Sequence, residues 1–182
     1  VHCDGPIECP LKLRIPVGCG SPSVAPGQGV RIDRDDGWIH IDRRWHGNDT
    51  LTVDFDFQVE RVTQQDGQQV YYRWGPLVFA LPFETEVTKI EEISSRPDCP
   101  SGFFELAVSP RSLEGWEYYV DPVARFSVVR LPQGDENSPW AHPPVALKGS
   151  LLNPEGLRVS VRLIPQGTTL LRRTTFKGRD WD

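Results

Sequence analysis

Residues 51–62 read LTVDFDFQVERV, and this stretch decides the fold class. Its apolar side chains occupy every second position and fall on one side of an extended chain: Leu51, Val53, Phe55, Phe57 and Val59. The other side is mostly polar or charged. An alternation with a period of two predicts a long β-strand with one buried and one solvated face.

The same period recurs elsewhere. LKLRIP (11–16) and RVSVRLI (158–164) alternate in this way, and turn sequences such as HGND (46–49) and NPEG (153–156) separate the apolar segments. Shorter strand candidates are GWIHID (37–42), VYYRW (70–74), LVFAL (77–81), VTKIEEI (87–93), FFELAV (103–108), RFSVVRL (125–131), VALKGSLL (145–152) and TLLRRTTF (169–176).

The sequence predicts one short turn of helix, within residues 109–119, and no longer helix. Many short strands of this kind predict an all-β fold, a β-sandwich of jelly-roll type. We expect either one domain over residues 1–182 or two small packed lobes, with the division near residues 94–102.

The stretch WGPLVFAL (74–81) is predicted to be a strand entered through a tight Gly75-Pro76 turn. Proline has no backbone N–H to donate to a sheet, so Pro76 belongs at the start of a strand. The run is apolar on both faces, which indicates that it is covered on both sides. The predicted core therefore comprises Leu51, Val53, Phe55, Phe57, Leu77 and Phe79.

Charge and composition limit the kinds of partner. The 182-residue chain has a formal net charge of −5 and no basic stripe, so nucleic acid is not expected as a partner. No apolar run reaches the roughly 18 residues of a membrane helix, so no membrane partner is expected either. The chain contains no methionine, which favours a fragment or a processed product.

The four cysteines are Cys3, Cys9, Cys19 and Cys99. Their even number favours an oxidising compartment, secreted or periplasmic rather than cytoplasmic, although localisation stays open. Disulfides and free thiols are both compatible with the spacing, so the pairing is open. The paired C-x2-4-C spacing of structural zinc sites is absent from the sequence, and we expect neither a metal nor a cofactor.

Few residues fit catalytic chemistry. Asp54 and Asp56 share the polar face of a predicted strand, where carboxylates are normally solvated, and Asp35-Asp36-Gly37 reads as a hairpin turn rather than part of a calcium loop. No catalytic residue is therefore assigned. The candidate ligand-binding residues are loop-like aromatic side chains: Trp116, Tyr118, Tyr119 and Trp140.

Several segments, in a shared order along the chain, resemble one family. The first is Leu13-Arg14-Ile15-Pro16, and the second is GWIHIDRRWHGNDTLTVDF (37–55). The third is WGPLVFAL (74–81). Later matching residues are Trp116, Glu117, Tyr118, Pro143, Pro144, Leu163, Pro165, Gly167, Thr168, Leu171, Arg172, Thr174 and Phe176.

These segments resemble the C-terminal β-sandwich region of β-L-arabinofuranosidase-type glycoside hydrolases, family 127 and its relatives. Trp74 stands where that family usually has Arg, so sugar specificity is not carried over. In the family, a catalytic α-helical barrel precedes the sandwich and holds a zinc-bound Cys nucleophile and a Glu. The resemblance places those residues outside this chain, and Cys3, Cys9 and Cys19 lack the matching motifs.

The resemblance implies a non-catalytic accessory domain whose partner is the catalytic helical barrel of the same parent protein, with a glycan as a further partner. The alternatives are a stand-alone carbohydrate-binding module that uses exposed Trp and Tyr side chains, and an enzyme that uses the Asp54 and Asp56 or the Asp35 and Asp36 carboxylates.

Overall fold

The structure is a computed structural model that describes residues 1–33, 35–64, 67–92, 104–132 and 140–178. The chain forms two compact units. The first comprises Val1–Gln58 with Trp74–Pro76, and the second comprises Val59–Arg73 with Leu77–Asp182. The predicted division near residues 94–102 lies outside the described residues and stays a prediction.

The first unit is built from short antiparallel strands. The strands are β1 (Ile7–Glu8), β2 (Leu11–Arg14), β3 (Ser23–Ala25), β4 (Val30–Asp33), β5 (Trp38–Ile41), β6 (Arg44–Trp45) and β7 (Thr52–Asp54). Strand β5 lies between β2 and β4, while β1 pairs with β6 and β3 pairs with β7.

The core of the first unit is centred on three fully buried side chains, Ile39, Ile41 and Trp45. Partly buried side chains pack around them: Cys3, Leu11, Leu13, Ile15, Val24, Val30, Leu51, Val53 and Phe55. The predicted inward faces of 11–16 and 51–55 are therefore confirmed.

The predicted single strand over 51–62 is wrong in its continuity. Strand β7 ends at Asp54, Phe57 forms an isolated bridge with Cys19, and a separate strand begins at Val59 in the second unit. A strand stays continuous only while a neighbour offers a continuous partner for its hydrogen bonds. The alternation in sequence predicts the buried face but not the partner.

The second unit contains the largest sheet in the described residues, with nine strands. The strands of the unit are β8 (Val59–Thr63), β9 (Gln69–Trp74), β10 (Leu77–Pro82), β11 (Thr85–Glu92), β12 (Phe104–Pro110), β13 (Tyr119–Val120), β14 (Ser127–Arg130), β15 (Val145–Leu152), β16 (Arg158–Pro165), β17 (Arg172–Arg173) and β18 (Phe176–Lys177). The main order is β13-β15-β16-β10-β9-β18, with β14 beside β15, β17 beside β10 and β8 beside β9.

Strands β11 and β12 form a separate two-stranded sheet, the β11–β12 ribbon. By contrast, β15 and β16 lie inside the large sheet and carry much of the second core: Val145, Ala146, Leu147, Leu151, Val161 and Leu163 are buried. The Phe126 ring covers Gly149 of β15, and its centroid lies 4.2 Å from that of Tyr72.

Asp121, directly after β13, is a buried carboxylate that accepts hydrogen bonds from side chains of β15 and β16. The Asp121 residue is 2 % exposed, and its Oδ2 accepts hydrogen bonds from Ser150 Oγ at 3.0 Å and Arg158 Nε at 2.6 Å. Its Oδ1 accepts the Val123 backbone N–H. Burial alone raises the pKa of Asp121, but these donors outweigh it and the pKa lies below its usual value.

The predicted Gly75-Pro76 turn is confirmed, since it connects β9 directly to β10. Gly75 has φ +55, and a following proline is fixed near −65°, a combination typical of a type II′ hairpin turn. A Cβ on Gly75 would meet the Phe57 ring at 2.8 Å, and Trp74 Nε1 donates to the Phe57 carbonyl at 3.0 Å. The predicted burial of Leu77 is wrong, because that residue is 37 % exposed, whereas Phe79 is fully buried.

The all-β prediction is confirmed, and the antiparallel sheets agree with a β-sandwich; the jelly-roll order stays a prediction. Within the described ranges there is no α-helix, and only Gln166–Thr168 forms a 3₁₀ turn. Residues 114–117 form a hydrogen-bonded turn, whereas a short turn of helix was predicted within 109–119. The strand predicted over 169–176 is wrong, because β17 and β18 pair with different neighbours.

Two further outcomes concern membrane-spanning helices and thiols. Among the described residues, no helix has the length and apolarity needed to span a membrane. Cys3, Cys9 and Cys19 are free thiols, while Cys99 lies outside the described residues.

Candidate functional site

The best candidate site is a cleft of about 500 Å³ in the second unit, which we call the Trp116 cleft. It lies between the turn at 114–117, which leads into β13, and the turn at 153–156, which connects β15 to β16. Its lining residues are Leu113, Glu114, Gly115, Trp116, Glu117, Tyr118, Asn153, Pro154, Glu155 and Val159.

The first turn is held by local hydrogen bonds. The Trp116 N–H donates to the Leu113 carbonyl at 3.0 Å, and Gly115 has φ +86, which favours glycine. An Arg173 guanidinium N–H donates to the Trp116 carbonyl. These contacts fix the backbone that presents the indole to the cleft.

The second turn is the predicted NPEG sequence. Asn153 closes it twice, because its carbonyl accepts the Gly156 N–H at 2.9 Å and its Oδ1 accepts the Leu157 N–H at 2.8 Å. Gly156 has φ +82, a backbone conformation that favours glycine. The turn places Glu155, the preceding residue, in the lining of the cleft. An asparagine that bonds to the backbone ahead of it is a common turn device.

Aromatic side chains form the firm wall of the cleft. Trp116 is 47 % exposed, and its ring lies 5.1 Å from the Phe83 ring. Tyr118 is buried and donates its hydroxyl hydrogen to Glu114 Oε1 at 3.1 Å. Burial, and then the neighbouring Glu114 carboxylate, raises the pKa of Tyr118. The Trp116 indole thus contacts the Phe83 ring and stays about half exposed to solvent.

This arrangement suits a hydroxyl-rich ligand. A half-exposed indole offers an apolar face against which a sugar ring can pack, and the Glu114, Glu117 and Glu155 carboxylates are hydrogen-bond acceptors. The three glutamates were missed by the sequence analysis. Two of them flank Trp116 in LEGWEY, but Glu155 lies far away in sequence and meets them only in the fold.

The four predicted ligand-binding residues do not form one group. Trp116 and Tyr118 line the Trp116 cleft together. Tyr119 is half-buried in β13 opposite Leu152, and Trp140 is 71 % exposed; neither lines this cleft. Their binding role stays a prediction.

The Asp54 and Asp56 carboxylates, the catalytic pair of the alternative enzyme hypothesis, are on the exposed surface. Asp54 and Asp56 are exposed, and Asp56 Oδ1 accepts a hydrogen bond from Gln58 Nε2 at 2.9 Å. Neither lines the Trp116 cleft. Glycoside hydrolysis uses two carboxyl groups that flank the scissile bond in a cleft, and these two carboxylates are on the exposed surface.

A second cleft, of about 410 Å³, lies in the first unit and is lined by Glu8, Cys9, Pro10, Asp42, Arg43 and Arg44. Behind it, the Arg43 guanidinium lies 4.6 Å from the Trp45 ring and donates to Asp49 Oδ2 at 2.9 Å. Trp45 Nε1 donates to the Cys9 carbonyl. The Arg-Trp-Asp pattern that supports the resemblance therefore stabilises this fold.

A group of possible metal ligands lies at the β4–β5 hairpin. One ligand atom from each of Asp33, Asp36 and His40 lies within 4.8 Å of the others. Asp33 accepts the Asp36 N–H at 3.1 Å, which with the Arg31 guanidinium holds the pKa of Asp33 below its usual value. The predicted turn over 35–37 is confirmed, and the pairing of β4 with β5 in this hairpin brings His40 close to it.

Comparison with known proteins gives a match in fold alone. No family model matches the sequence, and none of the curated proteins matches it. The structure matches a GH127 β-L-arabinofuranosidase from Geobacillus stearothermophilus T6 with a TM-score of 0.57 and 17 % identity, over 97 % of this chain and 27 % of that one. It also matches a second GH127 β-arabinofuranosidase with a TM-score of 0.53 and 16 % identity, over 95 % and 28 %.

The chain thus spans about a quarter of the length of the solved structures it matches. The sequence resemblance and the structural match agree, and the chain has the fold of a region of the family 127 β-L-arabinofuranosidases.

Proposed function

We propose that this chain is a non-catalytic β-sandwich domain that packs against the catalytic domain of a larger glycoside hydrolase. The observation that carries the proposal is the one-sided coverage of the structural match. Nearly the whole of this chain, 97 %, corresponds to only 27 % of the Geobacillus enzyme. If this chain is the corresponding region of a similar enzyme, the remaining three quarters of that enzyme could pack against it.

The β11–β12 ribbon offers a surface for such packing. Its register pairs Val87 with Val108 and Lys89 with Leu106, so these side chains lie on one face. Phe104 lies on the same face, and Lys89 Nζ is 4.1 Å from the centre of its ring. Val87 is 45 % exposed and Leu106 is 43 % exposed, so the face is apolar yet open.

The opposite face of the ribbon is the more polar of the two; it carries Ala107, and Ile90, at the register shift of β11, is 60 % exposed. Thr88 pairs with Ala107, and Glu86 pairs with Ser109. A two-stranded ribbon alone is at best marginally stable in water, and an open apolar face marks an interaction surface. We assign the catalytic domain of the same protein as its occupant, because the matched enzymes contain that additional chain.

The docking test compares the two faces. Val87→Glu with Leu106→Glu puts two charges on the apolar face, and Thr88→Glu with Ala107→Glu puts the same charges on the polar face. In the full-length product of the gene, we expect the first variant to lower the thermal unfolding temperature and the second to leave it unchanged. In the 182-residue chain alone, neither should have a large effect.

Two results would contradict the packing role. One is a full-length protein in which both double variants unfold at the wild-type temperature. The other is a catalytic domain whose stability and turnover are unaffected by deletion of residues 1–182.

The absence of catalysis needs its own assay. The purified chain is incubated with a panel of aryl arabinosides and other aryl glycosides, and we expect no turnover above background. Turnover that disappears in an Asp54→Asn, Asp56→Asn double variant, or in a Glu114→Gln, Glu155→Gln double variant, would overturn the proposal.

Carbohydrate binding is a second candidate function, and the Trp116 cleft favours it. Its half-exposed indole, backed by Phe83 and bordered by carboxylates, has the chemistry of a sugar-binding platform. The test is calorimetric titration with arabinan and xylan oligosaccharides. Binding that is lost in Trp116→Ala but kept in Trp140→Ala supports the cleft, because Trp140 is exposed outside it. Equal loss in both, or no binding, contradicts it.

A further inference from the structure

The β4–β5 hairpin carries a buried side-chain nitrogen that makes no hydrogen bond, with one carboxylate at ion-pair distance. His40 is 9 % exposed, and its Nε2 makes no hydrogen bond. In the described residues only one other buried side-chain atom, the Tyr72 hydroxyl oxygen, shares this property. Buried polar atoms in proteins are normally hydrogen-bonded, so an exception of this kind is a candidate position for a ligand atom.

The buried His40 nitrogen is directed toward carboxylates. Asp36 Oδ2 lies 3.8 Å from His40 Nε2, too far for a hydrogen bond, and an Asp33 oxygen lies within 4.8 Å of both. Asp33 and His40 lie on one face of the sheet, because Arg31 pairs with His40 and Asp33 pairs with Trp38. Asp36 reaches the same place from the turn.

We propose that Asp33, Asp36 and the His40 imidazole form a site for a divalent transition metal ion of the zinc class. Imidazole nitrogen is a preferred ligand of zinc, while calcium and magnesium take oxygen ligands. Three protein ligands leave a tetrahedral position for water or a further ligand.

The spacing of the three ligand atoms fits a site that closes on the ion. Ligands about 2.1 Å from a tetrahedral zinc lie about 3.4 Å from one another. The present separations of 3.8 Å and up to 4.8 Å are wider. The Asp36 side chain is 61 % exposed, so the proposed closure is a rotation of this side chain toward His40, whose own side chain is 11 % exposed.

Nearby cations limit the affinity. The Arg31 guanidinium donates to Asp33 Oδ2 at 3.1 Å, and Lys12 pairs with His40 from β2. Each Asp33 oxygen retains a second lone pair for a metal, so the guanidinium competes by charge and does not block the site. We therefore expect modest binding, in the micromolar range, with a dependence on ionic strength.

The test follows the imidazole rings directly. Long-range ¹H–¹⁵N spectra of the 182-residue chain are recorded during titration with zinc chloride, and then with calcium chloride. We expect the Nε2 resonance of His40 to shift at stoichiometric zinc, with no shift for calcium. Thiols also bind zinc, so the same titration is run with Cys3, Cys9, Cys19 and Cys99 replaced by serine.

A neighbouring pair of carboxylates supplies a matched control. Asp36→Asn should weaken zinc binding at least about tenfold, as loss of a group that supports a metal does, while Asp35→Asn should not. Both side chains are on the exposed turn, so both variants should fold. Zinc that shifts other histidines and leaves His40 unchanged, or equal affinity of the two variants, would overturn the site.

Discussion

The β15–β16 pair and the β11–β12 ribbon are antiparallel strand pairs of similar length that differ in how much of their apolar surface is buried. Strands β15 and β16 have 8 residues each, and the ribbon strands have 8 and 7. In the first pair Leu147 and Leu163 are fully buried. In the second, Val87 and Leu106 stay more than two-fifths exposed.

The difference arises from neighbours as well as from composition, since β11 carries four charged residues and β15 carries one. Both pairs carry β-branched and leucine residues, but β15 and β16 are flanked by β13, β14 and β10 within the large sheet. The ribbon has no further strand among the described residues. Hydrophobic stabilisation depends on the apolar area that is removed from water, so the covered pair is stabilised and the apolar side chains of the uncovered pair stay available for a partner.

The largest effect should come from the buried pair. Leu147→Ala removes a fully buried side chain and should lower the free energy of unfolding by roughly 2–5 kcal/mol, since it leaves a cavity. Urea denaturation of the isolated chain measures this. A loss below about 1 kcal/mol would place Leu147 outside the stabilising core.

The next effect concerns the polar anchor of the same pair. Asp121 accepts bonds from Ser150 of β15 and Arg158 of β16, so Asp121→Asn should cost roughly 1.5–3 kcal/mol at neutral pH. Its folded-state pKa is lowered, so its contribution is present above the unfolded value near pH 4 and is lost as the pH falls through the folded value. Unfolding followed between pH 2 and pH 7 should therefore show a shallower acid loss in the variant than in the wild type, and equal slopes would refute this.

Gly149→Ala should cost roughly 1–3 kcal/mol, because an added Cβ would meet the Phe126 ring at 2.5 Å. The double variant with Phe126→Leu tests the cause. If the clash with the ring is responsible, the alanine should cost less in that background, and an unchanged cost would point to the backbone instead.

The smallest effect is expected in the ribbon. Leu106→Ala in the isolated chain should change the free energy of unfolding by no more than about 0.5 kcal/mol, as exposed positions usually do. The measurement is the same urea denaturation. A loss comparable with that of Leu147→Ala would mean that the ribbon face is already covered within this chain.

Much of the fold could be read from the sequence because alternation is a local signal. VALKGSLL matches β15 residue for residue, and of the inward positions of 158–164, Val161 and Leu163 are buried and Val159 is partly buried. Where a strand ends and changes its pairing partner was less predictable. The stretch at 51–62 changes partner at Phe57, and no local pattern announces such a change.

The candidate site was predictable only in part. Trp116 and Tyr118 stand out in sequence as loop aromatics, but Glu155 joins them because the β15–β16 turn lies across the cleft. Likewise, DRDDGW reads as a turn on its own, and only the pairing of β4 with β5 brings His40 to Asp36.

By itself, the sequence determined the strand period, the glycine and proline turns and the face of each strand that turns inward, because these depend on the geometry of a few adjacent residues. The tertiary structure decided which strands gain neighbours, which apolar face stays open and which distant carboxylates meet. Those outcomes depend on contacts between residues far apart in the chain, whose pairing no single segment encodes.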